Sequence, residues 1–538
     1  MTDLESSNSG KIRVADITLA QLSRGLYRSN ATVFKELINN SYDADASEVR
    51  VNTNFPEFNY ISIVDNGKGM TLESFIKHFS DEGIGSSGKR RGDFDYTEKF
   101  NRPIIGRLGI GMMAIGQLCH SFEIESHYYD ENNKGQGFTG EIVLTDETIP
   151  DIESEIRKPE SEGKEIDVGE WSYEKVDFDE SKVGFRIFSS DVRGTFRREM
   201  RESYENVEDF KKLSFSLNNI ISIIYGSRSV RDCKAYLETI WELCTLCPLP
   251  YFENDLSPVY FKNSSTFEIV NDEYHNFIAD RQRKLIDYNF DLYFDGIQLR
   301  KLIQLPTDHS VSSRVYFFDF EKKIFETDLK FSGYIFAQVS KAIRPFELNG
   351  IQIRLRNVGI GGYDPTFLKY YRQVETVRSK WVSGEVFVDS GLEAALNIDR
   401  DSFNEHEEHY KAVQKFLHEK LDKVFDEVNK VASQNRKIQQ ESKLNEQSER
   451  IKNYVLEASD GKFSLEESED IEGSIKVLEE ERRVLVNNKF HEIRNSKADQ
   501  LYKIIDIAYH ISKNTISDED ERHLKFMNLV KRALKELL

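Results

Sequence analysis

In the segment ELINNSYDADA, Glu36, Asn40 and Asp43 are spaced i, i+4 and i+7, which on a helix turns all three side chains to one face. Two acids and an amide on one face suit a hydrated Mg²⁺ beside a water to be activated. Val33 and Leu37 fall beneath them, where they can fill a core. In VDNGKGM, Val64 to Met70, Asp65 ends an apolar strand and Gly67 and Gly69 follow. Such a turn lets backbone approach a flat ligand closely while the acid accepts a hydrogen bond. In GRLGIGMMA, Gly106, Gly109 and Gly111 lead into a helical pattern. Free N–H groups and the positive dipole end at a helix start suit phosphate. A fourth piece, RGT at Arg193 to Thr195, is read at the end of a strand. Each piece alone is ordinary turn chemistry; their order and combination are not.

The elements that must hold these residues follow from periodicity. ATVFKELINNSYDA reads as a helix with Ser29 or Asn30 as its N-cap. SEVRVNT, NYISIVDNG, SFEIESHYY, GFTGEIVL and VGFRIFSS read as strands, with strand patterning ending at GTFRREM. PIIGRLGIGMMAIGQL reads as a glycine-rich loop entering a helix. Residues 151–180 hold twelve acids and four bases, a net of −8, and read as an insertion or solvated loop. Beyond them, VRDCKAYLETIWELCTLCPLP is a helix stopped by Pro248. DLYFDGIQL, SRVYFFDF, FSGYIFAQVS and GIQIRLRNVGI are strands. From Glu405 the pattern is helical, and Leu417, Leu421, Val424, Val428 and Val431 have heptad spacing.

The four pieces together resemble the GHKL ATPase superfamily, of the type of the 90-kDa heat-shock chaperones, MutL and Morc proteins rather than the histidine kinases. The resemblance covers roughly residues 20–200 and includes FSDEGIGSSGK, which is similar to the segment entering the family's ATP lid. It implies a Bergerat-type α/β sandwich within an α+β chain, with ATP and Mg²⁺ as cofactors. Residue by residue, it implies Glu36 as the general base and Asn40 as the Mg²⁺ ligand. Asp43 becomes the helix acid near the nucleotide, and Asp65 the adenine-binding acid. Gly67, Gly69 and Met70 shape the base pocket. Gly106, Gly109 and Gly111 cradle phosphate. Thr195 reaches adenine through water, and Ser86, Ser87 and Lys89 begin the lid. A further segment, Trp381 to Phe403, resembles the chaperones' middle domain, where a Leu-Asn-x-x-Arg sequence sends its arginine to ATP. LNIDR puts Arg400 in that place. Lys341 and Arg344 are rivals, because MutL-type relatives use a lysine from the second domain.

The chain has 538 residues, with 73 Lys plus Arg against 93 Asp plus Glu, a net charge of −20. It divides into an ATPase segment 1–205, a transducer α/β segment 206–404 and a helical segment 405–538 for dimerisation or partner binding. No apolar run approaches the ~20 residues that span a bilayer, and the first residues carry no apolar signal region. Four cysteines are too few for a disulfide scaffold, so a reduced cytoplasmic compartment is expected. The lone CTLC reads as buried thiols rather than a zinc site. There is no GxxxxGK[ST] motif, which excludes a Walker-type ATPase. The expected function is an ATP-hydrolysing clamp, a homodimer, in which nucleotide closes the lid and docks the second segment to act on a protein client. The alternative is a MutL- or Morc-like clamp on DNA in a prokaryotic defence system; nucleic acid is not favoured, since the chain is acidic and no basic tail or zinc-finger spacing is present.

Overall fold

The computed structural model describes residues 9–14, 29–79, 96–106, 111–144, 166–202, 216–252, 268–301, 313–339, 341–372, 376–397, 401–458, 464–468, 475–478, 481, 483–487, 508–509, 512–513, 518–526 and 528. The chain divides into two compact units, Met1–Val428 and Asn429–Leu538.

In the first unit, nine strands make one sheet. They are Ser9–Val14 (β1), Glu48–Asn52 (β2), Ile61–Asp65 (β3), Ser121–Tyr129 (β4), Gly135–Leu144 (β5), Ile166–Val176 (β6), Gly184–Ser189 (β7), Asp291–Phe294 (β8) and Ile297–Leu299 (β9). Their order is β1-β6-β5-β4-β7-β3-β2-β8-β9. Helix Asn30–Asp43 (α1) begins at Ser29, whose hydroxyl accepts from the Thr32 N–H. Its residues Val33, Phe34, Leu37 and Ile38 are buried. The Phe34 ring meets Phe196 and Phe294 edge-on. Among the described residues, the longer of the other helices of this unit are Leu72–Phe79 (α2), Gly194–Glu202 (α3), Leu217–Gly226 (α4), Ala235–Leu246 (α5), Glu268–Asp287 (α6) and the start of Glu408–Ala458 (α7). A second sheet holds Ser313–Ile324 (β10), Thr327–Gln338 (β11), Gly350–Leu355 (β12), Val358–Asp364 (β13) and Val382–Ser390 (β14), in the order β10-β11-β14-β12-β13. The mixed α+β class expected from the sequence is the observed one.

Local readings change in four places. Residues 166–176 of the acidic stretch are a strand paired with β5 rather than a loop; residues 151–165 lie outside the described residues. GTFRREM is helical, because Phe196 and Met200 bury one face at a spacing of four. DLYFDGIQL is a hairpin that turns at Asp295 and Gly296, and it joins the first sheet although it follows residue 206. The Asp295 carboxylate accepts from Thr53 N–H at 2.6 Å, Thr53 Oγ1 at 2.7 Å and the Tyr236 hydroxyl at 2.9 Å, which locks that join. In the second unit, Ser464–Ser468 (β15), Ile475–Leu478 (β16) and Arg483–Asn487 (β17) form a three-stranded sheet inside the segment read as helical.

The two large sheets are tied by a buried charge cluster. Lys301, just beyond β9, places Nζ 3.0 Å from Glu385 Oε1 on β14, and Arg354 on β12 places Nε 2.7 Å from the same oxygen. The Tyr334 hydroxyl donates to the other carboxylate oxygen. Against its own desolvation, these cations hold the Glu385 carboxyl down at about 2. Cys244 and Cys247 are buried free thiols, each pushed up to about 12 by desolvation. No group of three metal-ligating side chains occurs among the described residues. No described helix is long and apolar enough to cross a membrane.

The heptad stripe of α7 is consumed inside the chain over its first half. Leu417, Leu421, Val424 and Val428 are buried. Phe416 packs against Phe318, Phe320 and Phe331 of the second sheet, and Phe425 against Phe367. Gln414 and His418 bond the Leu368 carbonyl. This stretch is therefore an internal packing surface and not a seam open to a second copy. Leu421→Ala is expected to destabilise the first unit by about 2–5 kcal/mol, read by denaturant unfolding. A seam packed only against a second copy would instead give a loss that depends on protein concentration.

Candidate functional site

α1 is buried on almost every side, including its polar residues Lys35, Glu36, Asn39, Ser41 and Asp43. A polar group removed from water must be bonded or it destabilises the fold. The partners it finds build the site. Asp43 accepts from Ile105 N–H at 2.8 Å and from Gly106 N–H at 2.5 Å, so it holds the entry to the glycine-rich loop. A Cβ on Gly106 would lie 2.7 Å from Asp43 Oδ2 and 3.7 Å from Asn40 Oδ1, so only glycine leaves this approach open. Gly111 opens a 3₁₀ helix, Gly111–Gln117. Gly109 lies outside the described residues, as do Ser86, Ser87, Lys89 and Arg400.

Asp65 is buried at the end of β3. It accepts from Ser41 Oγ at 2.7 Å and from Gly67 N–H at 2.9 Å. Desolvation raises its pKa, against hydrogen bonds from Ser41, Gly67 and the Phe185 backbone. The turn that follows is pressed onto the end of α1. Lys68 N–H donates to Ala44 O, and a Cβ on Gly67 would lie 2.6 Å from that oxygen. Gly69 has φ +73° with the His127 and Gly184 carbonyls around it, a place no side chain fits. Ser126 Oγ accepts from Met70 N–H at 2.8 Å. Asp65, Gly67 and Gly106 are thus gathered at the C-terminal end of α1, which itself carries Glu36, Asn40 and Asp43, while Gly69 and Met70 carry the turn on to Ser126, His127 and Gly184.

Thr195 is not among them. β7 runs antiparallel to β3, with Phe185 opposite Asp65 and Ser189 opposite Ile61. Thr195 follows Ser189, at the far end of the strand pair, and it is exposed. Ser189, the last strand residue before it, lies a five-residue strand, roughly 15 Å, along β7 from Phe185. The residue beside Asp65 is Phe185. The RGT tripeptide is helix-start chemistry rather than part of this cluster.

Lys341 also lies elsewhere. β11 ends where β14 begins, with Ala337 opposite Val382, and Lys341 follows β11 as an exposed residue. The end of the second sheet that meets α1 is the other one, where Leu355 pairs with Val388. There Arg356 Nη1 donates to Ile104 O at 2.6 Å. Lys35, next to Glu36, is 1% exposed and its Nζ lies 2.9 Å from Asp401 Oδ1. Asn397 and Glu36 line one cavity of about 200 Å³ with Leu355 and Arg356. Asn397 and Asp401 thus sit against α1. Ser41, Ser126, Lys35 and Arg356 were not foreseen. The local signal was the density of polar residues, Lys35 and Ser41 among them, on a helix that also carries the apolar core positions Val33, Phe34, Leu37 and Ile38.

Residues 27–158 match the family described as histidine kinase-, DNA gyrase B-, and HSP90-like ATPase. This chain carries a GHKL ATPase domain. The glycine turn on Asp65 and the Asp43-held loop both fall within the matched residues, and a domain of this family binds ATP. The chain is also similar to "Putative type II restriction enzyme HgiDII" of Herpetosiphon aurantiacus, 37% identical over 109 residues. That match takes in 20% of this chain and spans only 16% of the relative's own length.

Two sets of outcomes follow for the first unit. Asp65→Asn should weaken ATP about ten- to a hundredfold, the worth of a charged hydrogen bond. Thr195→Ala should leave affinity within about twofold, read by titration with a fluorescent ATP analogue, since a group so far from Asp65 makes no bond to lose. The second set concerns Glu242 on α5, which accepts from Ser29 Oγ, the N-cap of α1, at 2.7 Å. Burial pushes its carboxyl from 4.5 up to about 7. The folded group keeps its proton where the unfolded one has lost it, so stability falls as pH rises between those values. Glu242→Gln should remove that slope and raise stability above pH 7 by about 1–3 kcal/mol, measured by unfolding across pH 4–9.

Proposed function

We propose that the protein is a Mg²⁺-dependent ATPase, working as a homodimeric clamp, in which ATP hydrolysis is coupled to docking of the second sheet and its following segment onto α1. The observation that carries this reading is the buried Lys35–Asp401 pair, one residue from Glu36 on one side and one residue from Arg400 on the other. A buried ion pair with one partner removed costs about 3–5 kcal/mol, so the position of residue 401 and the arrangement of α1 are linked.

In this reading the adenine amine donates to the Asp65 carboxylate, and the Gly67–Met70 turn lies along the base. Backbone N–H groups of the glycine-rich loop receive the phosphates. Asn40 Oδ1 stands beside the Gly106 opening and fits a Mg²⁺ held mainly by phosphate oxygens and water; the ion supplies charge neutralisation on those oxygens. Glu36 takes a proton from the attacking water as its oxygen bonds the γ-phosphorus and the bond to the ADP oxygen breaks. Arg400 supplies positive charge to the transition state.

The client of the clamp is first read as a protein. A second reading, action on DNA, is favoured by the similarity to a protein named as a restriction enzyme. Glu36→Gln should lower turnover about a hundredfold or more with ATP binding kept, in line with loss of a general base; an unchanged rate would refute that role. Turnover should vanish on chelation and return with Mg²⁺. Stimulation by duplex DNA at physiological salt would select the DNA reading, and its absence the protein one.

A further inference from the structure

One peptide group at the entrance of the glycine-rich loop is held from both sides. The N–H of Ile105 donates to Asp43 Oδ1 at 2.8 Å, and the C=O of Ile104 accepts from Arg356 Nη1 at 2.6 Å. These two atoms belong to the same amide, the Ile104–Ile105 peptide. Asp43 comes from α1 and Arg356 from the turn between β12 and β13. The amide dipole therefore lies between an anion at its N–H end and a cation at its C=O end. Both contacts are charge-assisted, and each polarises the amide in the sense that strengthens the other.

Arg356 is itself held in place. Its Nη2 lies 3.0 Å from Glu393 Oε1, and the other oxygen of Glu393 accepts from Gly391 N–H at 2.9 Å. Its own N–H donates to Val388 O. Arg356 and Asn357 both have left-handed backbone, φ 53° and 69°, the form a two-residue hairpin turn requires. The guanidinium is 13% exposed and Glu393 26%. Arg356 thus carries the position of β12, β14 and the segment after β14 to a single carbonyl. That carbonyl precedes Gly106, whose N–H also rests on Asp43. A rotation of the peptide breaks both the Asp43 and the Arg356 bonds together.

We infer that Arg356 is a positioning residue for the phosphate loop: it pins the Ile104–Ile105 peptide opposite Asp43, so that docking of the second sheet sets the conformation from which the glycine-rich turn starts. It acts through that peptide and not by touching nucleotide. The inference rests on the ATPase reading for its catalytic consequence and on the geometry alone for its structural one.

The test uses the full chain with Arg356→Ala and Arg356→Lys. Amide hydrogen exchange should rise about tenfold or more at Ile105 and Gly106 in Arg356→Ala while β3 stays unchanged, as expected of local opening. Turnover at saturating ATP should fall about tenfold with the ATP dissociation constant moved less than about threefold. Arg356→Lys should recover a large part of both effects, because an ammonium still donates to Ile104 O although it loses the forked contact to Glu393. Unchanged exchange at Ile105 and Gly106 would overturn the inference. So would raised exchange spread through β3, or a turnover loss matched by an equal loss of affinity. If the wild type shows no turnover, the ATPase reading fails, and the exchange comparison alone decides the role of Arg356.

Discussion

The structure turns on a helix that is buried on nearly every side and is not apolar. α1 carries Lys35, Glu36, Asn39, Asn40, Ser41 and Asp43 within nine residues. In water such a face needs nothing, but in a protein interior each group must find a partner. Lys35 finds Asp401, Ser41 finds Asp65, and Asp43 finds the backbone at Ile105 and Gly106. The helix end is closed by Arg102, itself fully buried, which donates to Tyr42 O as well as to Tyr288 O and Asn289 O. Each partner belongs to a different stretch of chain. Satisfying one helix therefore draws the Asp65 turn, the start of the glycine-rich loop, the α6–β8 connection and the segment after β14 to the same place.

The same economy of buried charge joins the two sheets. Glu385 stands between Lys301 and Arg354, with the Tyr334 hydroxyl completing its shell. Lys301 extends the edge hairpin of the first sheet, and Glu385 and Arg354 belong to the second. A cluster of this kind contributes little net stability over an apolar one, but it is directional, and removal of one member is costly. It fixes the second sheet at the edge of the first, which in turn brings the β12–β13 turn to Ile104. The sheets are thus set by Glu385 at one place and by Asp401 and Arg356 at the other.

Much of the motif cluster around α1 was legible in the sequence because its signals are local. The i, i+4, i+7 spacing of Glu36, Asn40 and Asp43 needs only a helix, and Asp65 with its glycines needs only a strand and a turn. Thr195 and Lys341 were misplaced for one reason. A residue near a strand end is equally close in sequence to either end of its neighbour, and only the register says which. β7 pairs so that Phe185, and not the residues after Ser189, faces Asp65. The heptad stripe on α7 was seen, but periodicity reports that a face is apolar and not what covers it. Here Phe416 and Phe425 turn to the second sheet and its neighbouring loop.

What the sequence by itself determined is the GHKL character of the domain and the local geometry of its motifs, since each lies within one short segment whose own periodicity orients it. What only the tertiary structure decided is which residues from the rest of the chain come to that site. Lys35 meets Asp401 across 366 positions and Arg356 meets Ile104 across 252. No local pattern encodes a contact at such separation. It arises because buried polar groups on α1 and at Ile104 had to be matched, and the packing of two sheets determined which side chains were within reach.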